Sequence, residues 1–536
     1  MRINKKSIIT FITVFALGLG IMTPTNITKA DKNINEIVNQ SESEKESKSS
    51  NKVIEIISFN DFHGSVLEGE KNVGAAKLTG IIKEYKEKAE ESDTYSVVIV
   101  SGGDMYQGAS ISNILEGEPV TAMLKEIGIV ASAIGNHEYD WGVDKIKPWA
   151  EEVGFKFLAA NIVNKTTGLS PDYVEPYIIK NIDGINVAFI GIATPSTLTS
   201  TKAKSVEDLK FLDTIKTLDK YSKIVRDKGA DIIIALTHLE SLEENDGTII
   251  GEATDIAKNC LDIDAVISAH SHKFVDGFVK NNNSGKDVPI VQAGYNGRGL
   301  SVITFTFNED KEVLKVEANT REFYKESQIN KFPVDENVRQ IILKYNEELS
   351  PKLLTKITEL KFDLGHDRYS GLTPLGITVA EAIRKASKAE VAIINFGGVR
   401  APLTKGIITL GDMYKILPFD NNVVSMKVKG SKLKELIKQG IYPNGSRWGQ
   451  YSGITVWYNP KTKEITSMKL SDGSKIKDDE YYTLASIDFL MTGGDGYNFD
   501  GVIDSKVVGE MRDIVIKEWS NGIEKLDYNL LIEDEK

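Results

Sequence analysis

The run Ala131-Ser132-Ala133-Ile134-Gly135-Asn136-His137-Glu138-Tyr139-Asp140 decides how this chain is read. A short apolar stretch, enough for a brief buried strand, stops at a glycine. Behind it stand an amide, an imidazole and two carboxylates. These are poor core material and good material for holding a cation and moving a proton. Open α/β sheets place their ligands at the carboxyl ends of strands, so the same pattern is sought elsewhere.

It recurs. Val53–Ile57 runs into Asn60-Asp61-Phe62-His63, and Tyr95–Val100 into Gly102-Gly103-Asp104. Ile232–Leu236 ends in Thr237-His238, and Ala265–Ile267 leads to His270-Ser271-His272. Between such runs, apolar residues return at helical spacing, as at Leu78, Ile81, Ile82, Tyr85 and Ala89, which implies α/β layering. Of the six histidines, His63, His137, His238, His270 and His272 stand at these strand ends and only His366 lies elsewhere. One polar loop histidine is ordinary; five in equivalent places point to a metal centre.

Asp61/His63 and His270/His272 are spaced i, i+2, which in an extended segment puts both side chains on one side. Carboxylate, imidazole and amide oxygen without cysteine suit Zn, Mn, Fe or Co in a catalytic rather than a structural site. About seven ligands suit two ions that share a bridging carboxylate, roughly 3.5–4 Å apart. His137, beside Asn136, is then left for acid or electrostatic work, with Asp140 placed to orient it. Glu138 has no derivable role.

At 536 residues the chain exceeds a single ordinary core. It is 41% hydrophobic and 26% charged, a globular composition. A net charge of −12 argues against a nucleic-acid polymer as partner, because such binding relies on Lys and Arg neutralising phosphates. Arg2, Lys5 and Lys6 precede the apolar stretch Ile8–Met22, with small residues around Ala30, so residues 1–30 read as a signal peptide. The protein is then expected to be secreted, extracellular or at the cell surface, with no stable membrane insertion after signal removal. The single Cys260 excludes an intrachain disulfide. Residues 31–52, rich in Ser, Glu, Lys and Asn, are expected to form a disordered spacer.

Val334, Val338, Ile341, Ile342, Tyr345 and Leu349 mark an amphipathic helix between Pro333 and Pro351. Residues 326–351 thus read as a connector between a region at 53–325 and another at 352–536. The second region offers Arg368, Asn395-Phe396-Gly397-Gly398-Val399-Arg400, Leu417-Pro418-Phe419, and Asp488-Phe489-Leu490 running into Gly493-Gly494-Asp495-Gly496-Tyr497. By themselves these are turns and core residues.

In order, Asp61-Phe62-His63, Gly102-Gly103-Asp104, Gly135-Asn136-His137-Glu138, His238 and His270-Ser271-His272 resemble the metal blocks of the calcineurin-like metallophosphoesterases. Gly135 through Gly142, together with the C-terminal region, looks more narrowly like the 5′-nucleotidase family. The resemblance implies a four-layer α/β/β/α sandwich, a connector helix and a second α/β, nucleotide-binding domain that swings its ligand toward two divalent metal ions. It assigns Asp61, His63, Asp104 and His272 to one ion, and bridging Asp104, Asn136, His238 and His270 to the other. His137 and Asp140 become a catalytic dyad. Arg368 and Arg400 contact phosphate, Asn395 the base and Asp495 the ribose, Asn136 also faces the substrate, and Phe419 and Phe489 sandwich the base. The chain departs from the family pattern at His272, often Gln or Asn, at Ala269, usually Gly, and at Phe396, which interrupts a usually all-glycine turn. The implied activity is hydrolysis of AMP-like nucleoside 5′-phosphates by hydroxide generated at the metals. The alternatives are a 2′,3′-cyclic phosphodiesterase/3′-nucleotidase, a UDP-sugar hydrolase, and an idle surface adhesin on the same scaffold. Gly493–Tyr497 favours the 5′ reading, since its Asp495 engages free ribose hydroxyls.

Overall fold

Continuous apolar runs make strands covered on both faces, and the first two strands show how. In β1 (Lys52–Phe59), Ile54 and Ile56 point one way and Ile57 and Phe59 the other. In β2 (Tyr95–Ser101), Val98 and Val100 share the first face and Ile99 takes the second. The computed structural model describes residues 51–69, 71–325, 331–367, 371–441, 449–462 and 464–534. The expected signal peptide, nearly all of the expected spacer and Arg368 lie outside the described residues. From Lys52 onward the chain forms one compact unit.

β1, β2, β3 (Ala131–Ala133) and β4 (Lys156–Leu158) run parallel, and two antiparallel strands, Gly299–Phe307 and Val313–Glu322, complete a six-stranded sheet beyond β1. A second six-stranded sheet has a parallel centre of β5 (Ile185–Ala193), β6 (Ile232–His238), β7 (Ala265–Ile267) and β8 (Asp287–Ala293), with antiparallel strands at both edges. The sheets pack face to face through Ile54, Ile56, Val98 and Val100 against Phe189, Ile234, Leu236 and Ile267. The outer face of the first sheet is covered by α1 (Gly74–Glu90), α2 (Glu118–Ile127) and α3 (Ile146–Val153). The outer face of the second is covered by α4 (Thr214–Asp227) and α5 (Glu252–Asn259). This is the four-layer α/β/β/α sandwich that the resemblance implies.

The helix between the domains, α6 (Glu336–Leu353), is capped by Asp335, whose carboxylate accepts the Val338 N–H at 2.8 Å. Val338 and Ile342 are buried in the core beneath α1 and α2, so this helix packs on the first domain. Pro351 does not follow the helix as the spacing predicts. It lies inside the last turn, which continues to Leu353, and its missing N–H costs one bond near an end where few remain.

The second domain is built on a five-stranded sheet in which β9 (Val391–Asn395) runs parallel to β11 (Tyr481–Ile487), and β10 (Asn422–Lys429) is antiparallel to β11. Leu375, Val379 and Ile383 of α7 (Pro374–Ser387) and Leu433, Leu436 and Ile437 of α8 (Gly430–Ile441) fill its core. Among the described residues no helix is long and apolar enough to cross a membrane.

Candidate functional site

The carboxyl ends of β1, β2 and β3 from one sheet and of β6 and β7 from the other meet at one edge of the sandwich. There Asp61, His63 and His272 form one group and Asp104, His238 and His270 a second, with the ligand atoms of each group within 4.8 Å of one another. Asn136 follows β3 and is almost fully buried.

The i, i+2 argument for Asp61/His63 and His270/His272 does not hold, because these residues are not extended. Asp61, His63, Asp104, His270 and His272 have φ of 49°, 50°, 55°, 70° and 60°. Each left-handed non-glycine residue costs on the order of 1–3 kcal/mol and persists where surroundings over-determine it. The turns, not the pleat, aim these side chains. Two glycines make room. A Cβ on Gly135 would lie 2.1 Å from Asp104 Oδ1, and one on Gly103, where φ is 92°, would lie 2.9 Å from His238 Nδ1.

Hydrogen bonds orient each donor. His63 Nδ1 lies 2.9 Å from the Gln107 carbonyl and His238 Nδ1 2.7 Å from that of Gly102, so both carry a proton there and turn Nε2 inward. Asp61 Oδ2 accepts the His270 N–H at 3.0 Å, and Asn136 Nδ2 donates to the Ser200 carbonyl at 3.1 Å. What remains is a set of buried atoms without a hydrogen-bond partner: Asp61 Oδ1, Asp104 Oδ2, Asn136 Oδ1 and His238 Nε2. His63 and His272 face each other through Nε2 atoms 3.1 Å apart, and Asp104 Oδ2 lies 3.1 Å from His238 Nε2. Buried oxygen and nitrogen atoms that crowd together in this way, facing one another more than any other partner, fit divalent cations.

The charges are coupled accordingly. Burial opposes ionisation of Asp61, yet His272 overrides it and holds the carboxyl at about 2. Burial likewise works against the Asp104 carboxylate, and His238 pulls its pKa well below the usual range. His63 is pushed down to about 3 by burial and by His272. His238 is desolvated, but Asp104 raises it to about 10. His137 is also desolvated, and Asp140 and then Asp104 lift it above its ordinary value.

His137 Nδ1 lies 2.8 Å from Asp140 Oδ2, and Asp140 Oδ1 accepts the Thr201 hydroxyl at 2.9 Å. The His137 N–H donates to Asp104 Oδ1 at 2.9 Å, tying this dyad to the second group. Sequence reasoning leaves Glu138 idle. It is fully buried and accepts the N–H groups of Asp104, Met105 and Gly135. Burial and the nearby Asp104 push its carboxyl up to about 7.

The second domain closes a cleft of about 980 Å³ over this edge. Phe419 stacks on His137 with ring centroids 5.5 Å apart at 19°, and the Arg400 guanidinium lies 5.7 Å from the Phe419 ring. The Pro418 carbonyl accepts from Gln107 at 3.2 Å and Asn113 at 3.0 Å. Sequence reasoning misses both latches, because nothing in a lone amide marks its partner. Asn395, Phe489 and Asp495 line the same cleft. Asn395 Nδ2 donates to Asp495 Oδ2 at 2.7 Å, so the two residues expected at base and ribose hold each other. His366, the histidine outside the cluster, also faces the cleft and stacks on Phe396 at 4.1 Å.

Residues 54–274 match the calcineurin-like phosphoesterase family, and residues 355–500 match the 5′-nucleotidase C-terminal domain. The chain is 31% identical over 487 residues to Endonuclease YhcR of Bacillus subtilis (strain 168), covering 86% of this chain and 39% of that protein. It is 28% identical over 510 residues to Cell wall protein Lmo0130 of Listeria monocytogenes, covering 83% of this chain and 64% of that one. The chain thus spans less than two thirds of either relative. The 5′-nucleotidase precursor of Thermus thermophilus has the same fold, with a TM-score of 0.76 at 21% identity over 90% of this chain and 100% of that one. The chain thus joins a calcineurin-like phosphoesterase domain, which bears two candidate metal groups, to a 5′-nucleotidase C-terminal domain.

Proposed function

We propose that this protein is an exported hydrolase of nucleoside 5′-phosphates, using two divalent ions and releasing nucleoside and phosphate. The observation that carries the reading is one cleft in which both metal groups and the His137–Asp140 pair face Asn395, Arg400, Phe419, Phe489 and Asp495. Asp61, His63 and His272 would hold one ion, Asn136, His238 and His270 the other, and Asp104 would bridge them. Bound there, the ions would draw charge from the phosphoryl oxygens and supply a hydroxide-like nucleophile at neutral pH.

The chain's own residues do the rest. Asp140 fixes His137 through Nδ1, which leaves Nε2–H to donate to a phosphoryl oxygen as charge builds on it. Arg400, with Arg368 as its expected companion, neutralises the phosphate from the opposite wall. Phe419 and Phe489 stack on the base, an interaction worth roughly 1–3 kcal/mol that tolerates any base. Asp495, steadied by Asn395, receives the ribose hydroxyls. Export rests on the composition of residues 1–30 and fits a relative named as a cell wall protein.

A second reading, cleavage of phosphodiesters, is favoured by the relative named as an endonuclease. One assay panel separates the two: AMP, 3′-AMP, 2′,3′-cyclic AMP, ADP, ATP, a UDP-sugar and a short oligonucleotide, each with and without chelator. The proposal expects AMP to be turned over fastest and every activity to vanish with chelator. Preference for a diester, or activity that survives chelation, would sink it.

A further inference from the structure

Within Gly135–Asp140, Glu138 is a fully buried carboxylate to which the proposed reaction assigns no work. Its oxygens accept three backbone N–H groups: Oε2 those of Asp104 at 2.9 Å and Gly135 at 2.7 Å, and Oε1 that of Met105 at 2.8 Å. Those donors belong to two loops. One follows β2 and carries Asp104; the other follows β3 and carries Asn136 and His137. Among the described residues no ion pair reaches Glu138, and these three amides supply the hydrogen bonds that its oxygens accept.

The donors need it as much. Gly103 and Asp104 both turn at positive φ, which lifts the amides of Asp104 and Met105 off the sheet ladder. A buried N–H without an acceptor is rare, and a carboxylate is the strongest acceptor the chain has. The ring is closed from the other side, because Asp104 Oδ1 accepts the N–H of His137, the residue before Glu138.

We propose that Glu138 is a positioning residue. It ties the Asp104 loop to the Asn136 loop so that both ligands stand at the right separation before any ion arrives, and it thereby sets the affinity of the site for its ions. The inference rests on the reading of Asp104 and Asn136 as ligands given above. Gln at this position keeps the volume but offers one acceptor oxygen, and its NH₂ group confronts one of the three donors. Asp keeps the charge and loses the reach.

The test is calorimetric titration of the chelator-stripped full chain with Mn²⁺ or Zn²⁺, native against Glu138→Gln and Glu138→Asp. Binding weaker by about 10–100-fold is expected for Glu138→Gln, the usual cost of losing a group that orients a metal ligand, with Glu138→Asp in between. Native affinity in a folded variant overturns the inference, even where its unfolding midpoint has dropped, because a merely structural role would lower stability alone. A native protein that binds neither ion overturns instead the reading of the ligands. Amide exchange in the stripped native chain needs no variant: the Asp104, Met105 and Gly135 amides should be protected. If they exchange like exposed loop amides, no tie exists before the metal and the inference falls.

Discussion

His137 is anchored at Nδ1 and open at Nε2, which is the arrangement of a group that acts rather than one that packs. Its backbone N–H, not its side chain, holds Asp104. His137→Ala should therefore keep its ions while turnover falls by about 10²–10⁴-fold, the usual worth of a positioned acid. Metal analysis beside kcat checks this, and ions lost with activity would show that His137 is a ligand. Phe489 is half-buried at the cleft. Phe489→Ala should raise KM for AMP more than for p-nitrophenyl phosphate, and equal losses would return it to the core. At this scale the sequence was legible where a side chain's own chemistry declares it, as with Asp61 or His238. Glu138 was not, because its partners are backbone amides that only the turn at Gly103 and Asp104 exposes.

Among the elements, α6 depends on its first turn. Asp335 caps it through Val338 N–H and pairs with Lys83 of α1. Removing such a cap costs about 1 kcal/mol, so Asp335→Ala should lower stability in urea by that amount at neutral pH. Burial disfavours the Asp335 charge, but Lys83 and the capped amide outweigh it and the folded pKa is lowered. A depressed carboxyl contributes stability that is present above its unfolded value, near 3.9, and lost as pH falls through the folded value. The gap between native and variant midpoints should accordingly hold from pH 7 to about 5 and shrink below about 4. The helix itself was legible from its apolar spacing. Its end was not, because a proline reads as a stop signal, whereas this helix runs through Pro351 to Leu353. Nor were the turns after β1, β2 and β7, since a ligand pair spaced i, i+2 reads the same whether its backbone is extended or left-handed.

The whole molecule has to keep buried carboxylates and left-handed turns together at one edge, and ions that bind only the folded state would hold them. Chelator should lower the apparent Tm. At an ion concentration near 100 times Kd the linkage is about 2.7 kcal/mol, and a scan unchanged by chelator would mean no ion was bound. Another contact between residues far apart in sequence is the seat of Pro418 on Gln107 and Asn113. Each bond is worth about 0.5–1.5 kcal/mol, so Gln107→Ala with Asn113→Ala should raise KM for AMP several-fold and leave metal content intact. Unchanged KM would make that contact incidental. Sequence by itself determined the layers and the chemistry available at the strand ends. Runs such as Val53–Ile57 record burial on both faces, and residue type is a local property. The resemblance implies which ligands share an ion, but only the tertiary structure decided how Asp61 and His63 reach His272 while Asp104 reaches His238 and His270, and that Phe419 comes to rest on His137. Those partners lie far apart in sequence and meet because two sheets pack face to face and a second domain docks on their edge, which no local pattern encodes.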